Sequence, residues 1–132
     1  HNDMWRKNPS WRNSLMSEGA QDMQVLHRIF DSVAWWQLRP NPQFFATGMG
    51  SGKTRNMAAI SASGDFSIVY FSAPGTAELH LSQMKKGSLR AEWINPRNGA
   101  RSGAAMPSTT EGEGKFTTPM GWPDALLLIE GR

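Results

Sequence analysis

The sequence predicts a mainly β protein, an antiparallel β-sandwich of about seven or eight strands preceded by one α-helix. From residue 44 onward, short segments of alternating apolar and polar residues recur at roughly even spacing. Turn-forming Gly, Pro, Asn and Asp residues separate these segments. Nearer the start, apolar residues recur at spacings of three and four, which is typical of an amphipathic helix. The 132 residues leave room for one domain, or for a domain and a fragment of another.

The helix is expected over about residues 20–32. Ser17 is placed to cap its amino end, and Glu18 suits the positive end of the helix dipole. The apolar stripe comprises Met23, Leu26, Phe30 and Val33, widened by Val25 and Ile29. Because an isolated helix of this length is marginal in water, the stripe must pack on another part of the protein.

Pro40 and Pro42 close the helical section, since proline excludes helix and holds the preceding residue extended. We therefore expect a domain boundary here, between residues 1–36 and residues 37–132. After it, residues 56–62 and 66–72 predict a hairpin around Ser63-Gly64-Asp65. The second of these strands is apolar on both faces, which indicates a central strand buried on both sides. Further strands are expected at residues 44–47, 77–81, 99–105, 115–118 and 125–130.

The clearest strand begins at Leu89 and stops at a turn. Its side chains alternate, with Leu89, Ala91 and Trp93 on one face and Arg90 and Glu92 on the other. Asn95-Pro96 then begins a tight turn in which Gly99 can adopt positive φ. We interpret Trp93 as a plug that closes one end of the sandwich core.

Composition excludes several classes of function. The formal charge is +3, but basic and acidic residues are interspersed, whereas nucleic-acid binders concentrate basic charge on one face. The longest apolar run, residues 125–129, is too short to span a membrane. Without cysteine there is no disulfide framework and no thiolate zinc site. The three histidines, His1, His27 and His80, lack the spacing of metal ligands, so neither a metal nor another cofactor is expected.

No catalytic residues are predicted within the chain, because neither a G-x-S-x-G nucleophile motif nor a facing pair of carboxylates is recognisable. Residues 48–54, GMGSGKT, approach the phosphate-binding P-loop pattern, but Thr47 replaces its first glycine and no strand-loop-helix context surrounds them. A glycine loop at the sandwich rim is favoured over nucleotide binding through Lys53. Trp122 lies in a loop, where its ring could stack on a sugar or a partner's proline, or else plug the core.

Four segments resemble, in order, a domain of a known family: residues 35–40 (WWQLRP), 63–70 (SGDFSIVY), 91–99 (AEWINPRNG) and 125–130 (ALLLIE). The domain is the collagen-binding domain that follows the (β/α)8 barrel of bacterial apiosidase-like glycoside hydrolases. The turn at residues 95–99 is its most specific part. Residues 1–5 are similar to the segment after the last barrel strand, and residues 11–23 to the start of the last barrel helix. The resemblance spans nearly the whole chain.

The resemblance implies that residues 1–36 are the last loop and helix of a glycosidase barrel and residues 37–132 an accessory β-sandwich. An initial His in place of Met fits a piece of a longer protein. The helix would pack on a barrel outside this chain, which would also hold the catalytic carboxylates. His1, Asn2 and Trp5 would line the sugar cleft.

The implied partners are the missing N-terminal barrel and a polysaccharide or glycan, and the implied location is secreted or periplasmic. A free-standing carbohydrate- or collagen-binding module, with the helix folded across its own sandwich, is the alternative hypothesis.

Overall fold

The structure, a computed structural model, describes residues 11–85, 87–107 and 112–131, and its elements form three layers. A helix lies on one face of a six-stranded sheet, and a three-stranded sheet covers the other face. The helices are α1 (Trp11–Ser14) and α2 (Glu18–Asp31). The strands are β1 (Leu38–Pro40), β2 (Phe45–Thr47), β3 (Met57–Ser61), β4 (Phe66–Phe71), β5 (Thr76–His80), β6 (Leu89–Ile94), β7 (Arg101–Ala104), β8 (Glu113–Thr117) and β9 (Ala125–Gly131). The predicted mainly β class and antiparallel sandwich are confirmed.

The six-stranded sheet has the order β1-β3-β4-β9-β6-β7, and the smaller sheet has the order β2-β5-β8. All described strand pairs are antiparallel. The predicted hairpin at Ser63-Gly64-Asp65 is confirmed as the connection between β3 and β4, and Gly64 adopts φ 74° there. At the centre, β9 pairs with β4 on one side and with β6 on the other.

The core between the two sheets is built from alternate residues of the central strands. Trp93 is buried there, as predicted, with its ring edge-on to Phe71 at a centroid distance of 5.4 Å and an angle of 65°. The opposing sheet contributes Leu79 and Phe116. The remaining buried members are Phe44, Phe45, Ile60, Val69, Ala77, Leu81, Met84, Ala91, Ala125, Leu127 and Ile129.

The helix α2 confirms the predicted cap and shows which of its sides is buried. Ser17 is extended (φ −67°, ψ 156°), and its Oγ accepts a hydrogen bond from the Ala20 N–H at 3.4 Å. Val25 and Ile29, each 4% exposed, pack on the outer face of the larger sheet, in one cluster with residues of β4, β6 and β9. The sheet members of that cluster are Phe66, Ile68, Ile94, Leu126 and Leu128.

The predicted stripe is therefore confirmed only in part: Phe30 and Val33 are partly buried against this cluster, whereas Met23 and Leu26 do not belong to it. These two side chains are 62% and 39% exposed, and the positions that only widened the stripe are the buried ones. The reason is the apolar outer face of the central strands, which a helix of the same chain can cover. The helix thus lies across its own sandwich, while the boundary between residues 36 and 37 stays a prediction.

The strand β1 was not recognised in the sequence, where only extended backbone was expected before the prolines. It pairs with β3 at the edge of the sheet, between Leu38 and Ser61 and between Pro40 and Ala59. An edge position tolerates proline, because the missing N–H would face away from the neighbouring strand.

Replacing Ile29 by Ala should lower the free energy of unfolding by about 2–4 kcal/mol, because it leaves a cavity between helix and sheet. Met23→Ala, on the same helix but facing outward, should change it by less than about 0.5 kcal/mol. Urea denaturation followed by circular dichroism measures both values. Equal losses for the two variants would show that α2 is not part of the folded core.

Candidate functional site

Four loops meet at one end of the sandwich, which we call the loop end: residues 48–56, 72–75, 95–100 and 118–124. The Ser72 N–H donates to Asn56 Oδ1 at 3.1 Å, and the Thr118 N–H donates to the Gly75 carbonyl at 3.0 Å. These bonds connect the predicted glycine loop, through residues 72–75, to the Trp122 loop. The Arg97–Asp124 ion pair at 3.3 Å joins the Asn-Pro turn to the same loop, although the three are far apart in sequence.

Trp122 is partly buried, and its ring packs against the core between the sheets. Its backbone N–H donates to the Pro119 carbonyl at 3.3 Å, which closes the loop as a turn. The nearby Met120 is fully exposed. Trp122 thus supports the core and also presents part of its surface to solvent, so its role in binding stays a prediction.

A polar chain links the Asn-Pro turn to the central sheet. The Tyr70 hydroxyl donates to Asp124 Oδ2 at 3.2 Å, and Arg97 Nε donates to Asp124 Oδ1 at 3.3 Å. Within the turn, the Arg97 N–H donates to Asn95 Oδ1 at 2.9 Å. Burial, and then the Asp124 carboxylate, raise the pKa of Tyr70 above its ordinary value. The neutral phenol is thereby favoured as the hydrogen-bond donor.

The glycine loop folds as a sandwich connection. Gly48, Gly50 and Gly52 all adopt positive φ. The Asn56 side chain donates to the Gly48 carbonyl at 2.8 Å, and the Asn56 N–H donates to the Met49 carbonyl at 2.7 Å. After one 3₁₀ turn the chain enters β3, so the α-helix that follows a P-loop does not occur at this place in the described structure.

Many acidic side chains are engaged by bases. The pairs are His27–Asp31 at 3.0 Å, His80–Glu113 at 3.1 Å, Lys85–Asp65 at 3.1 Å, Arg97–Asp124 at 3.3 Å and Arg101–Glu92 at 2.7 Å. Within residues 11–85, 87–107 and 112–131, no group of His, Asp and Glu side chains could hold a metal ion. No helix in the same part of the chain has the length and apolar character needed to cross a membrane.

The outward side of α2 forms an apolar groove that sequence reasoning did not locate. We call it the α2 groove, with a volume of about 1020 Å³. Its lining residues are Met23, Gln24, Leu26, His27, Arg28, Phe30, Asp31 and Trp35. The sequence did contain one indication of this groove, namely the width of the helical stripe. The stripe has six apolar positions, and one face of a helix cannot bury all six against a single sheet. The predicted cleft residues His1, Asn2 and Trp5 lie outside the described residues.

The geometry defines a two-sheet antiparallel β-sandwich with an N-terminal helix on its outer face. The chain belongs to the family described as "Putative collagen-binding domain of a collagenase", whose profile matches residues 40–130. None of the curated proteins matches the chain significantly.

Two solved structures share the fold. One is titled "Glycoside hydrolase" and has a TM-score of 0.78 and 20% identity over 96% of this chain. The other is a family 5 glycoside hydrolase from Bacteroides vulgatus, with a TM-score of 0.78 and 18% identity over 92%. The chain spans only 28% and 26% of the lengths of these two proteins.

Tyr70 is the single tyrosine of the chain, so its ionisation can be followed directly by ultraviolet absorbance. We expect the midpoint of the Tyr70 titration to lie above pH 10.0. Asp124→Asn should lower this midpoint only in part, because Tyr70 remains partly buried. Since the folded pKa is raised, the associated stability is fully present below pH 10.0 and is lost as pH rises through the folded value. Asp65→Asn, at the other end of the sandwich, is the control and should leave the midpoint unchanged. A midpoint at or below 10.0 would contradict the described contact.

Gly48→Ala should destabilise the protein more than Gly121→Ala, by about 1–3 kcal/mol. Both residues adopt φ near +80°, so both substitutions strain the backbone. A Cβ at Gly48 would lie 2.5 Å from the Thr76 carbonyl oxygen, whereas nothing lies within 4 Å of a Cβ at Gly121. Urea denaturation of the two variants separates steric overlap from backbone strain, and equal losses would be inconsistent with the close packing of the glycine loop.

Proposed function

We propose that this chain is the accessory β-sandwich of a glycoside hydrolase, that it braces the catalytic barrel, and that it assists polysaccharide binding. The supporting observation is that helix and sandwich match together, as 96% and 92% of this chain, within two glycoside hydrolase structures. In both, the matched unit is only about a quarter of the protein. A unit that keeps its helix and its sandwich together, beside a much larger remainder, is suited to an accessory role.

The finer form of the proposal is that the parent protein is a bacterial, apiosidase-like enzyme that is secreted or periplasmic. Residues 1–36 would then form the last loop and helix of its barrel, and residues 37–132 would form the accessory domain. This form rests on the four segments that resemble that family, above all the turn at residues 95–99. His1, Asn2 and Trp5 belong to it as proposed cleft residues.

The ion pairs of this chain favour catalytic carboxyl groups that lie in the barrel. Hydrolysis of a glycosidic bond uses two carboxyl groups that face each other across the sugar. Glu92 is held by Arg101 and Arg90, at 2.7 and 3.8 Å, and Asp124 is held by Arg97 and Tyr70. Carboxylates engaged in this way stabilise structure and are poorly placed to transfer protons. The catalytic pair is therefore assigned to the barrel.

The contact with polysaccharide is assigned to the loop end, through Trp122. Trp122 is only partly buried, and Met120, two residues earlier in the same loop, is fully exposed. An aromatic ring beside an apolar side chain can stack on the apolar face of a sugar. Because Trp122 also packs on the core, the position of this contact would be fixed relative to the sandwich.

The second candidate function is a free-standing module that binds collagen, which the description of the family favours. In that case the chain would bind the triple helix without help from a catalytic part. The two functions differ in their partner, so one set of proteins tests both.

A longer protein that contains this chain should lose stability when residues 37–132 are deleted, because the barrel loses its brace. We expect a thermal midpoint lower by several degrees and faster tryptic digestion of the remainder, whose kcat on a soluble aryl glycoside changes by less than about twofold. Deletion without effect on the midpoint or on digestion would contradict the bracing role.

The same longer protein, as wild type and as Trp122→Ala, tests the binding role with insoluble polysaccharide and triple-helical collagen. We expect weaker retention of the variant on polysaccharide. Trp36→Ala, an exposed tryptophan on the helical side, is the matched control and should be retained like the wild type. If the isolated chain is retained by collagen and not by polysaccharide, the collagen-binding module is favoured instead.

A further inference from the structure

A second groove lies beside the edge strand β1 and the β3–β4 turn, at the end of the sandwich opposite the loop end. We call it the β1 groove. It has a volume of about 560 Å³, within the range of about 300–1,000 Å³ that is usual for small-molecule sites. Its polar lining includes Arg39, Asn41, Gln43, Ser63, Gln83 and Lys85. The groove is therefore large enough for a small ligand, and its polar lining favours a hydrophilic one.

The Arg39 guanidinium is held in place and keeps one edge unoccupied. Its Nη1 donates to the Trp36 carbonyl at 3.0 Å and to the Leu38 carbonyl at 2.9 Å. Within the described residues, its Nε and Nη2 have no acceptor, and no carboxylate pairs with Arg39. The free edge presents two parallel N–H groups, which match two oxygens of an oxyanion. Arg39 thus offers a preorganised position for a carboxylate or sulfate group.

The charge of the groove also favours an anion. Lys85 is the second cation of the lining, and none of the described lining residues is acidic. Lys85 Nζ lies 3.1 Å from Asp65 Oδ1, so these two charges offset each other. The ammonium group still has further N–H donors for a ligand, and the charge of Arg39 stays uncompensated.

Fixed side-chain amides lie beside these cations. Asn41 Nδ2 donates to Gln83 Oε1 at 2.8 Å, and Gln83 Nε2 donates to the Gln43 carbonyl at 2.9 Å. Each of the two amide nitrogens keeps a second N–H, and Asn41 Oδ1 accepts no hydrogen bond from the described part of the chain. Because a hydroxyl group both donates and accepts, a polyhydroxylated ligand can use both kinds of free group.

We infer that the β1 groove binds an acidic saccharide, whose carboxylate or sulfate group contacts Arg39 and whose hydroxyls contact the amides of Asn41 and Gln83. The inference goes beyond the proposed function, which assigns polysaccharide to Trp122 at the opposite end of the sandwich. An acidic peptide is the competing ligand. A peptide could add to the sheet as a strand along β1, but Pro40 lacks the outward backbone N–H that such pairing needs.

Isothermal titration calorimetry of the 132-residue chain tests the inference with trigalacturonate, its trimethyl ester, a sulfated trisaccharide and hexaglutamate. At least one of the two acidic sugars should bind, and the one that binds more tightly identifies the oxyanion. The trimethyl ester keeps the hydroxyls of trigalacturonate without its charge. It should bind at least about tenfold more weakly than an acidic sugar, because it cannot form charge-assisted hydrogen bonds with Arg39.

Arg39→Gln should weaken binding of the acidic sugar by at least about tenfold, and Arg39→Lys should not restore it, because lysine keeps the charge but lacks the two parallel N–H groups. Arg55→Gln is the matched control, since Arg55 is an exposed arginine of the loop end. It should bind like the wild type, and so should Trp122→Ala. Urea denaturation checks that the variants are folded. If Arg39→Gln lowers the urea midpoint, Lys85→Gln replaces it, with an expected loss of about threefold in affinity.

Equal affinity for trigalacturonate and its trimethyl ester would overturn the inference, as would equal losses in Arg39→Gln and Arg55→Gln. Binding of hexaglutamate without binding of either acidic sugar would assign the groove to an acidic peptide instead. Absence of binding by all four probes would also overturn the inference. These results leave the proposed function intact, because that function is tested by deletion of residues 37–132 and by Trp122→Ala.

Discussion

The burial of β9 on both faces is the constraint on which the rest of the structure depends. Every residue from Ala125 to Ile129 is buried. Leu127 faces the smaller sheet, whereas Leu126 and Leu128 face the helix. Full burial of such a side chain contributes about 1.5–3 kcal/mol, so exposing either face would remove a large part of a domain's net stability. One sheet can cover only one face. The helix α2 is therefore the third layer of the fold.

Polar contacts set the direction of the helix on this surface. Ser32, which ends α2, accepts a hydrogen bond from Arg101 Nη2 at 3.1 Å, and Arg101 Nη1 donates to Glu92 Oε2 at 2.7 Å. At the middle of the helix, a Cβ at Gly99 would lie 3.5 Å from Val25 Cγ1. Ion pairs at a surface contribute little free energy, so these contacts orient the helix while the apolar cluster supplies the stability. The turn at residues 95–99, recognised first by its sequence, thus contacts the helix as well as ending β6.

Local patterns predicted the sandwich well and the packing of the helix poorly. Alternation and turn residues are properties of a few consecutive positions, so the faces of β4 and β6 and the turn at Gly64 followed directly from the sequence. The buried side of α2 depends on which surface it meets, and six apolar positions allow more than one answer. A clue existed in residues 66–72, because a strand that is apolar on both faces requires a cover on each. The partial exposure of Trp122 depends on loops distant in sequence, which no local pattern reveals.

The two-sided helix also explains why this arrangement suits a brace. Domains joined by a linker and a small interface move relative to each other by default. Here the exposed side of α2 belongs to a helix whose opposite side is buried against the larger sheet, so no hinge separates the helix from the sandwich. Under the proposed function, the loop end with Trp122 would keep a fixed direction relative to the barrel. A weak sugar contact at that end would then act at a constant distance from the catalytic cleft, where it raises the local concentration of substrate even if its own affinity is low.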